Sequence, residues 1–314
     1  MAVAVVAQRT LKNPISCTGI GVHSGMRVRM VLHPAPADHG IVFRRSDLAR
    51  RGGETEIRAD WRSVVDSRLC TTIGNDAGVT VATVEHLMAA FYGCEVDNAL
   101  VEISGPELPI MDGSAAPFVF LIECAGTMEL EEPRRAIQVL RPIVVEDGSR
   151  RAVLKPGAGL TISCEIDFDS KLVARQRFTH DLEPVTFRSE ISRARTFGFA
   201  ADIDRLRAAG LARGGSLDNA VVIGKDRILN AEGLRFADEF VRHKVLDCVG
   251  DLYLAGAPIL GHLDAVRVGH ALNYRLLRTM FERQDAWRMV EMTTAFPVAR
   301  QGARMREALR AAGD

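Results

Sequence analysis

The stretch that most constrains this chain is FADEFVRHKVLDCVGDLYL, residues 236–254. Its spacing predicts one amphipathic helix. Val241, Val245, Cys248, Val249 and Leu252 recur at helical intervals and form an apolar stripe. His243, Asp247 and Asp251 recur every four residues and therefore share the opposite face. A neutral imidazole and a carboxylate one turn apart can grip a divalent transition metal. Two ligands do not complete a site, so the rest of the chain must supply at least one more. The competing reading is the solvated face of a surface helix, because this His-to-Asp spacing is common by chance. On this stretch alone the two readings stand level.

A chain of 314 residues exceeds the usual single-domain size, which predicts two domains. Lys+Arg and Asp+Glu are 40 each, so the formal net charge is zero and broad electrostatic binding to nucleic acid or an anionic membrane is not expected. The six cysteines, Cys17, Cys70, Cys94, Cys124, Cys164 and Cys248, form no C-x-x-C pair and mostly sit among apolar residues. They read as buried free thiols of a reducing compartment. The opening MAVAVVAQRT is too short an apolar run for a signal-peptide core, and no basic residue precedes it. No run approaches the roughly 18 apolar residues of a membrane span. A cytoplasmic protein is expected.

The first part of the chain alternates like strands, from Val3–Val6 through 18–25 and 28–32 to Ile41–Arg45. The glycines around His23 suggest a turn or bulge, with His23 either facing a cleft or serving as a satisfied structural histidine. His33 and His39 flank a Pro-rich turn and read as solvent-facing. Further strands are predicted at 70–74 and 79–81 around an Asn-Asp-Ala-Gly turn. Thr83–Tyr92 reads as a helix with Thr83 as its N-cap and Gly93 as its stop. A strand follows at 96–103, then a helix over 114–126 with Phe118, Leu121 and Ile122 on its apolar side. Residues 131–136 are polar and broken by Pro133, and form the best linker. Strands restart at 137–140, 143–146, 151–155 and 160–168, followed by helical segments. The predicted division is a first α+β domain over 1–130, the linker 131–136, a second over 137–300, and a tail at 301–314. An insertion at about 193–228 carries more apolar residues (Phe197, Phe199, Ile203, Leu206, Leu211, Leu217) than so small a unit needs. These pack on the main body or line a groove for an apolar chain.

Three further places have residues suited to chemistry. Glu85 and His86 open their helix. Adjacent helical positions diverge by about 100°, so His86 suits a ligand and Glu85 a general base acting on water. The alternative is a buried-helix histidine beside an exposed glutamate. Gly269 before His270 suggests a tight backbone approach that presents the imidazole, where a protonated ring would stabilise an oxyanion and protonate a leaving amine. A loop histidine near a helix start is the plainer reading. Thr196 offers a hydroxyl to the same oxyanion, or is an ordinary strand threonine.

The stretches TGIGVHSG (18–25), CTTIG (70–74), TVEHLMAA (83–90), MDGSAAPFV (111–119), ISRARTFGF (191–199), GGSLDNAVV (214–222), LRFADEFVRHKVLDCVGDL (234–252) and GHALN (269–273) run in order along the chain. Together they resemble the UDP-3-O-acyl-N-acetylglucosamine deacetylases, zinc amidases of lipid A synthesis in Gram-negative bacteria. The resemblance implies an α+β fold: two similar domains, each a sheet with helices on one face, packed helix to helix with zinc at the junction. It implies His86, His243 and Asp247 as metal ligands, with zinc the expected metal and iron chemically suited to the same donors. It implies Glu85 as general base, His270 as general acid, Thr196 as oxyanion donor, Lys244 as a cation beside the metal, and Asp251 as the partner orienting His270. Phe197 and Gly215 would contact substrate, and the insertion would supply the acyl-chain passage. One departure matters. Similar proteins often carry His-Pro after the Asp-Phe of the second-domain strand, whereas here Asp167-Phe168 is followed by Asp169-Ser170-Lys171-Leu172. Phe168 would still stack on uracil and Arg267 would approach the diphosphate. The implied substrate is a small UDP-3-O-acyl-GlcNAc, with no nucleic-acid partner and no membrane span, acted on by a monomer. A base and an acid with opposed protonation needs imply a bell-shaped pH dependence. Two rivals remain: a zinc amidase acting on another acylated sugar, and a non-catalytic protein holding a structural metal or ligand.

Overall fold

The computed structural model describes residues 4–51 and 54–294. The expected tail at 301–314 lies outside the described residues, as does Val3. The first strands are β1 (Ala7–Leu11), β2 (Ile15–Ile20), β3 (Arg27–Pro34), β4 (Ile41–Arg45), β5 (Glu56–Arg58), β6 (Val64–Asp66), β7 (Thr72–Gly74) and β8 (Thr80–Val81). Helix α1 (Glu85–Gly93), strand β9 (Ala99–Ile103) and helix α2 (Ala116–Ala125) follow. Then come β10 (Thr127–Pro133), β11 (Arg135–Val139), β12 (Ile143–Asp147), β13 (Arg150–Pro156), β14 (Leu160–Asp167) and β15 (Arg175–Asp181). The single turn α3 (Pro184–Thr186), β16 (Phe197–Phe199), α4 (Ala200–Ala208) and β17 (Val221–Ile223) lead to α5 (Glu239–Tyr253). Strand β18 (Ile259–Val266), helix α6 (His270–Glu282) and strand β19 (Trp287–Glu291) complete the described chain.

The strands form two main sheets. The first has the order β2-β3-β9-β4-β5, and its inward positions (Val28, Met30, Leu32, Phe43, Val101, Ile103) are almost fully buried. This is the period-two pattern of a sheet with one covered face. The second follows β12-β13-β18-β11-β19. Its central strand β18 divides its edge: Ile259 and Leu260 pair in parallel with β11, and residues 261–266 pair in parallel with β14, which carries β15 outside it. Helix α2 packs on β2, α5 on β14 and β15, and α6 on β12 and β13, while α1 and α5 pack against each other between the sheets. The layers therefore run sheet, helices, helices, sheet, as an α+β fold of this kind requires.

The two halves are held at several points. Trp61 stacks on Phe281 with ring centroids 5.0 Å apart, and its backbone N–H donates to the Leu254 carbonyl at 2.8 Å. The Tyr253 hydroxyl donates to the Val96 carbonyl at 2.8 Å. Arg134 is buried and reaches Asp97 at 2.8 Å and Glu95 at 3.0 Å. Burying that guanidinium is tolerable because two carboxylates compensate its desolvation.

Several local expectations shift. The strand expected at Val3–Val6 starts later, as β1, because its partner β10 pairs only from Ala7 onward; Val5 makes a single bridge to Thr293. Residues 131–136, expected as a linker, run through the end of β10 into β11. Thr83 is not the N-cap of α1. That position is Val84, and Thr83 takes a left-handed backbone (φ 61°) with its hydroxyl donating to Glu107 at 3.2 Å. His33 and His39 are half-buried rather than solvent-facing. His33 lies 4.0 Å from Glu102, and His39 Nδ1 donates to the Gly40 carbonyl at 3.0 Å. Helix α5 begins at Glu239, three residues after Phe236, and it has no broad solvated face: His243, Asp247 and Asp251 are all buried. A polar stripe buried in this way must find partners inside the protein.

Candidate metal centre

Helix α1 opens with Glu85 and His86, and it is buried on nearly every side, packed against α5 and α2. Glu107 fixes where it starts. Its carboxylate accepts the backbone N–H groups of His23 and Ser24, each at 2.8 Å, as well as the Thr83 hydroxyl. Across the junction, α5 presents His243 and Asp247 one turn apart. The closeness of the two helices depends on Gly250. A Cβ there would lie 1.9 Å from the backbone carbonyl oxygen of Glu85, so only glycine lets the helices meet at this point.

The result is a compact donor set. One ligand atom each from His86, His243 and Asp247 lies within 4.8 Å of the others, and all three residues are buried. His86 Nε2 is 3.7 Å and His243 Nε2 3.3 Å from Asp247 Oδ1. His243 Nδ1 donates to the Ala194 carbonyl at 3.1 Å, which leaves the lone pair on Nε2. Burial, working against the pull of Asp247, pushes the His243 imidazole down to about 3, so it is neutral. Burial pushes Asp247 upward, but the Lys244 ammonium and the hydrogen bond from His86 outweigh it and hold the carboxyl well below its usual range. Lys244 Nζ sits 2.7 Å from Asp247 Oδ2. His86 Nδ1 is buried without a hydrogen-bond partner. Two buried imidazoles, the His243 ring neutral and the His86 ring with an unpartnered nitrogen, and an ionised carboxylate fit a divalent transition metal with N,N,O ligation.

A second polar group adjoins these ligands. His270 is the first residue of α6 rather than a loop residue, after the N-cap Gly269. Its Nδ1 donates to Asp251 Oδ2 at 2.8 Å, and its Nε2 lies 3.8 Å from Glu85 Oε1. Burial alone would lower its pKa, but Asp251 and Glu85 prevail and raise it to about 10. Burial pushes Glu85 up. The sign of the His270 shift sets a pH dependence of stability. A raised imidazole stabilises the fold fully below the unfolded value of about 6.5 and ceases to do so as pH rises toward 10. In metal-free protein, the melting temperature is expected to fall between these values, and His270→Gln to flatten that slope. An equal slope in the variant would show that other groups set it.

These residues open into one cavity of about 470 Å³. Glu85, His86, His243, Asp247, His270, Thr196 and Lys244 line it. So do Phe197, Phe199, Ile203, Leu206, Leu217 and Val222, so most of the surplus apolar residues of the 193–228 segment face the same cavity as the polar groups. Leu211 does not line it. Gly215 and His23 do. His23 Nδ1 is buried without a partner there. Thr196 is set by the Gly113 carbonyl, which accepts its N–H at 2.7 Å. Phe168 is not in the cavity lining, but its ring lies 5.6 Å from Phe197 and 5.8 Å from Phe199. Arg267 is also outside, paired with Asp167.

A family profile described as UDP-3-O-acyl N-acetylglycosamine deacetylase matches residues 8–282. The chain belongs to that deacetylase family. It is 52% identical to the UDP-3-O-acyl-N-acetylglucosamine deacetylase of Acidithiobacillus ferrooxidans over 289 residues, covering 91% of this chain and 94% of the relative. The enzymes of the same name from Phenylobacterium zucineum and Myxococcus xanthus are 49% and 50% identical. Those matches cover 90% of this chain in each case, and 96% and 89% of the relatives. The family makes this chain a hydrolase of the deacetylase class, with a metal site available in His86, His243 and Asp247.

Sequence reasoning passed over several residues of this deacetylase fold. Glu239 is fully buried and accepts from Arg195, through the backbone N–H and Nε, at 2.9 Å each. That pair ties the segment carrying Ala194 and Thr196 to the start of α5. Thr71 and Asn273 reach Asp251, and Gly250 sets the helix crossing. The only signal for Gly250 was a glycine inside a helical pattern, which costs about 1 kcal/mol and asks for a packing reason. Thr71 and Asn273 lie inside CTTIG and GHALN, but their chemistry was invisible without their partners.

Proposed function

We propose that this chain removes the N-acetyl group of UDP-3-O-acyl-N-acetylglucosamine by hydrolysis, releasing acetate and the free amine, the committed step of lipid A synthesis. The observation that carries this reading is one cavity joining a buried His-His-Asp donor set, a Glu–His pair and an apolar groove. Zinc, or iron, held by His86, His243 and Asp247 would supply Lewis-acid stabilisation of the amide oxygen and acidify a water.

The protein's own groups do the rest. Glu85 accepts the proton of the attacking water. His270, protonated and oriented by Asp251, and the Thr196 hydroxyl stabilise the tetrahedral oxyanion. His270 then gives its Nε2 proton to the leaving nitrogen. Lys244 keeps Asp247 ionised. Phe197 and Gly215 contact substrate, and the acyl chain follows the groove of the 193–228 segment. We assign the uracil to Phe168, supported by its contacts with Phe197 and Phe199. Arg267 must exchange Asp167 for the diphosphate to take part. The halves 1–130 and 137–300 act as two domains of one monomer. A nucleotide-sugar substrate favours the cytoplasm; among the described residues no helix is long and apolar enough to cross a membrane.

The test is a deacetylation assay on UDP-3-O-acyl-N-acetylglucosamine with metal analysis, before and after chelation. One metal ion per chain, acetate release, loss on chelation and recovery with zinc are expected. A protein that binds metal but releases no acetate would be a binding protein instead. Undiminished activity on the sugar lacking its 3-O-acyl chain would point to another acylated substrate.

A further inference from the structure

Thr71 precedes β7 in the first half of the chain, and both of its backbone groups are tied to the start of α1. Its N–H donates to Glu85 Oε2 at 3.0 Å, and its carbonyl accepts the Val84 N–H at 3.3 Å. Its hydroxyl crosses the junction and donates to Asp251 Oδ1 at 2.6 Å. The other oxygen of that carboxylate accepts from His270 Nδ1 and from Asn273 Nδ2, both at 2.8 Å. Thr71 and Asn273 are 2% and 0% exposed, so water does not substitute for either. Among the described residues, Thr71 is the one hydrogen-bonded to both Glu85 and Asp251.

The terminal torsion of an aspartate is soft, with broad, roughly two-fold preferences. His270 and Asn273 hold only one of its oxygens, which would leave the Asp251 carboxylate free to turn about that point, and the imidazole with it. The bond to Thr71 pins the second oxygen. Because the same residue also holds Glu85, it fixes the imidazole of one half against the carboxylate of the other.

We infer that Thr71 is a positioning residue for the reaction: it aligns His270, through Asp251, with Glu85 across the domain junction. The inference rests on the deacetylase reading above. It adds no proton carrier; it sets the angle and distance at which the two carriers meet substrate. Misplacing a reacting group by about 1 Å can cost about a hundredfold in rate.

Thr71→Val keeps the shape and the backbone bonds and removes only the hydroxyl, and Thr71→Ser restores the hydroxyl. With zinc-loaded protein and UDP-3-O-acyl-N-acetylglucosamine, Thr71→Val is expected to lower kcat by about 10- to 100-fold with KM within about twofold. Its zinc content should match the parent, and Thr71→Ser should return kcat to within about threefold. A readout independent of turnover is the His270 Nδ1 proton in nitrogen-15 NMR, assigned by its loss in His270→Gln. It should be sharp in the parent and in Thr71→Ser, and broadened in Thr71→Val. If Thr71→Val does not fold, Thr71→Ala carries the same comparison. Unchanged kcat and an unchanged resonance in Thr71→Val, or a loss confined to KM, would overturn the positioning role while leaving the deacetylase reading intact. An inactive parent would sink that reading, and the resonance would still decide whether Thr71 orders His270.

Discussion

Glu85→Gln is expected to lower deacetylase turnover by between about 100- and 10,000-fold, the range attributed to one general acid or base. Glutamine has nearly the same shape, and its amide oxygen can still accept the Thr71 N–H that the carboxylate accepts at 3.0 Å. What it lacks is the capacity to take a proton. The ligand set of His86, His243 and Asp247 does not include Glu85, so metal content should match the parent. KM should change little, because the loss falls on the chemical step. Steady-state kinetics on the UDP-sugar with parallel metal analysis separates the alternatives. A variant within a few fold of the parent would remove Glu85 from proton transfer. A variant depleted of metal would make Glu85 part of the ligand set instead.

Gly250→Ala is expected to destabilise the protein and cut activity together, although alanine is the better helix former. In an exposed helix the change would gain about 1 kcal/mol. Here the new Cβ falls 1.9 Å from the Glu85 carbonyl oxygen, 2.7 Å from its carbon and 3.0 Å from its Cα. These are backbone atoms, so no side chain can swing aside. The helices must separate, and overpacking of this kind costs about 1–3 kcal/mol or more. The separation also moves His86 away from His243 and Asp247 and Glu85 away from His270, so a loss of about 100-fold in turnover is expected. Thermal unfolding and metal affinity measured on the same preparation test this. A more stable variant with normal metal binding would mean that the crossing is looser than described.

How much of this was legible beforehand differs residue by residue. The polar face of α5 could be read directly, since helical geometry puts His243, Asp247 and Asp251 in line whatever surrounds them. Glu85 and His86 at a helix start, and the β14 strand, were read from local pattern in the same way. The solvated-face alternative for α5 was undecidable from sequence, because burial of that face depends on α1. Thr83 went wrong for a similar reason. Its composition suits an N-cap, but Glu107, brought in from a later turn, takes its hydroxyl and draws its backbone into the left-handed region. The solvent-facing reading of His33 and His39 failed because His33 lies against Glu102 of β9, which local polarity does not encode, and His39 turns its ring back onto the Gly40 carbonyl.

By itself, then, the sequence determined the periodic elements, the facing of residues within each helix, and, through eight ordered motifs, the family resemblance. Those follow from short-range geometry and side-chain chemistry, which act over a few residues. Only the tertiary structure decided that His86 meets His243 and Asp247, that Thr71 reaches Asp251, and that the apolar residues of the 193–228 segment line a groove. Each of those depends on two distant segments burying surface against one another, and at the centre on a helix crossing that only a glycine permits.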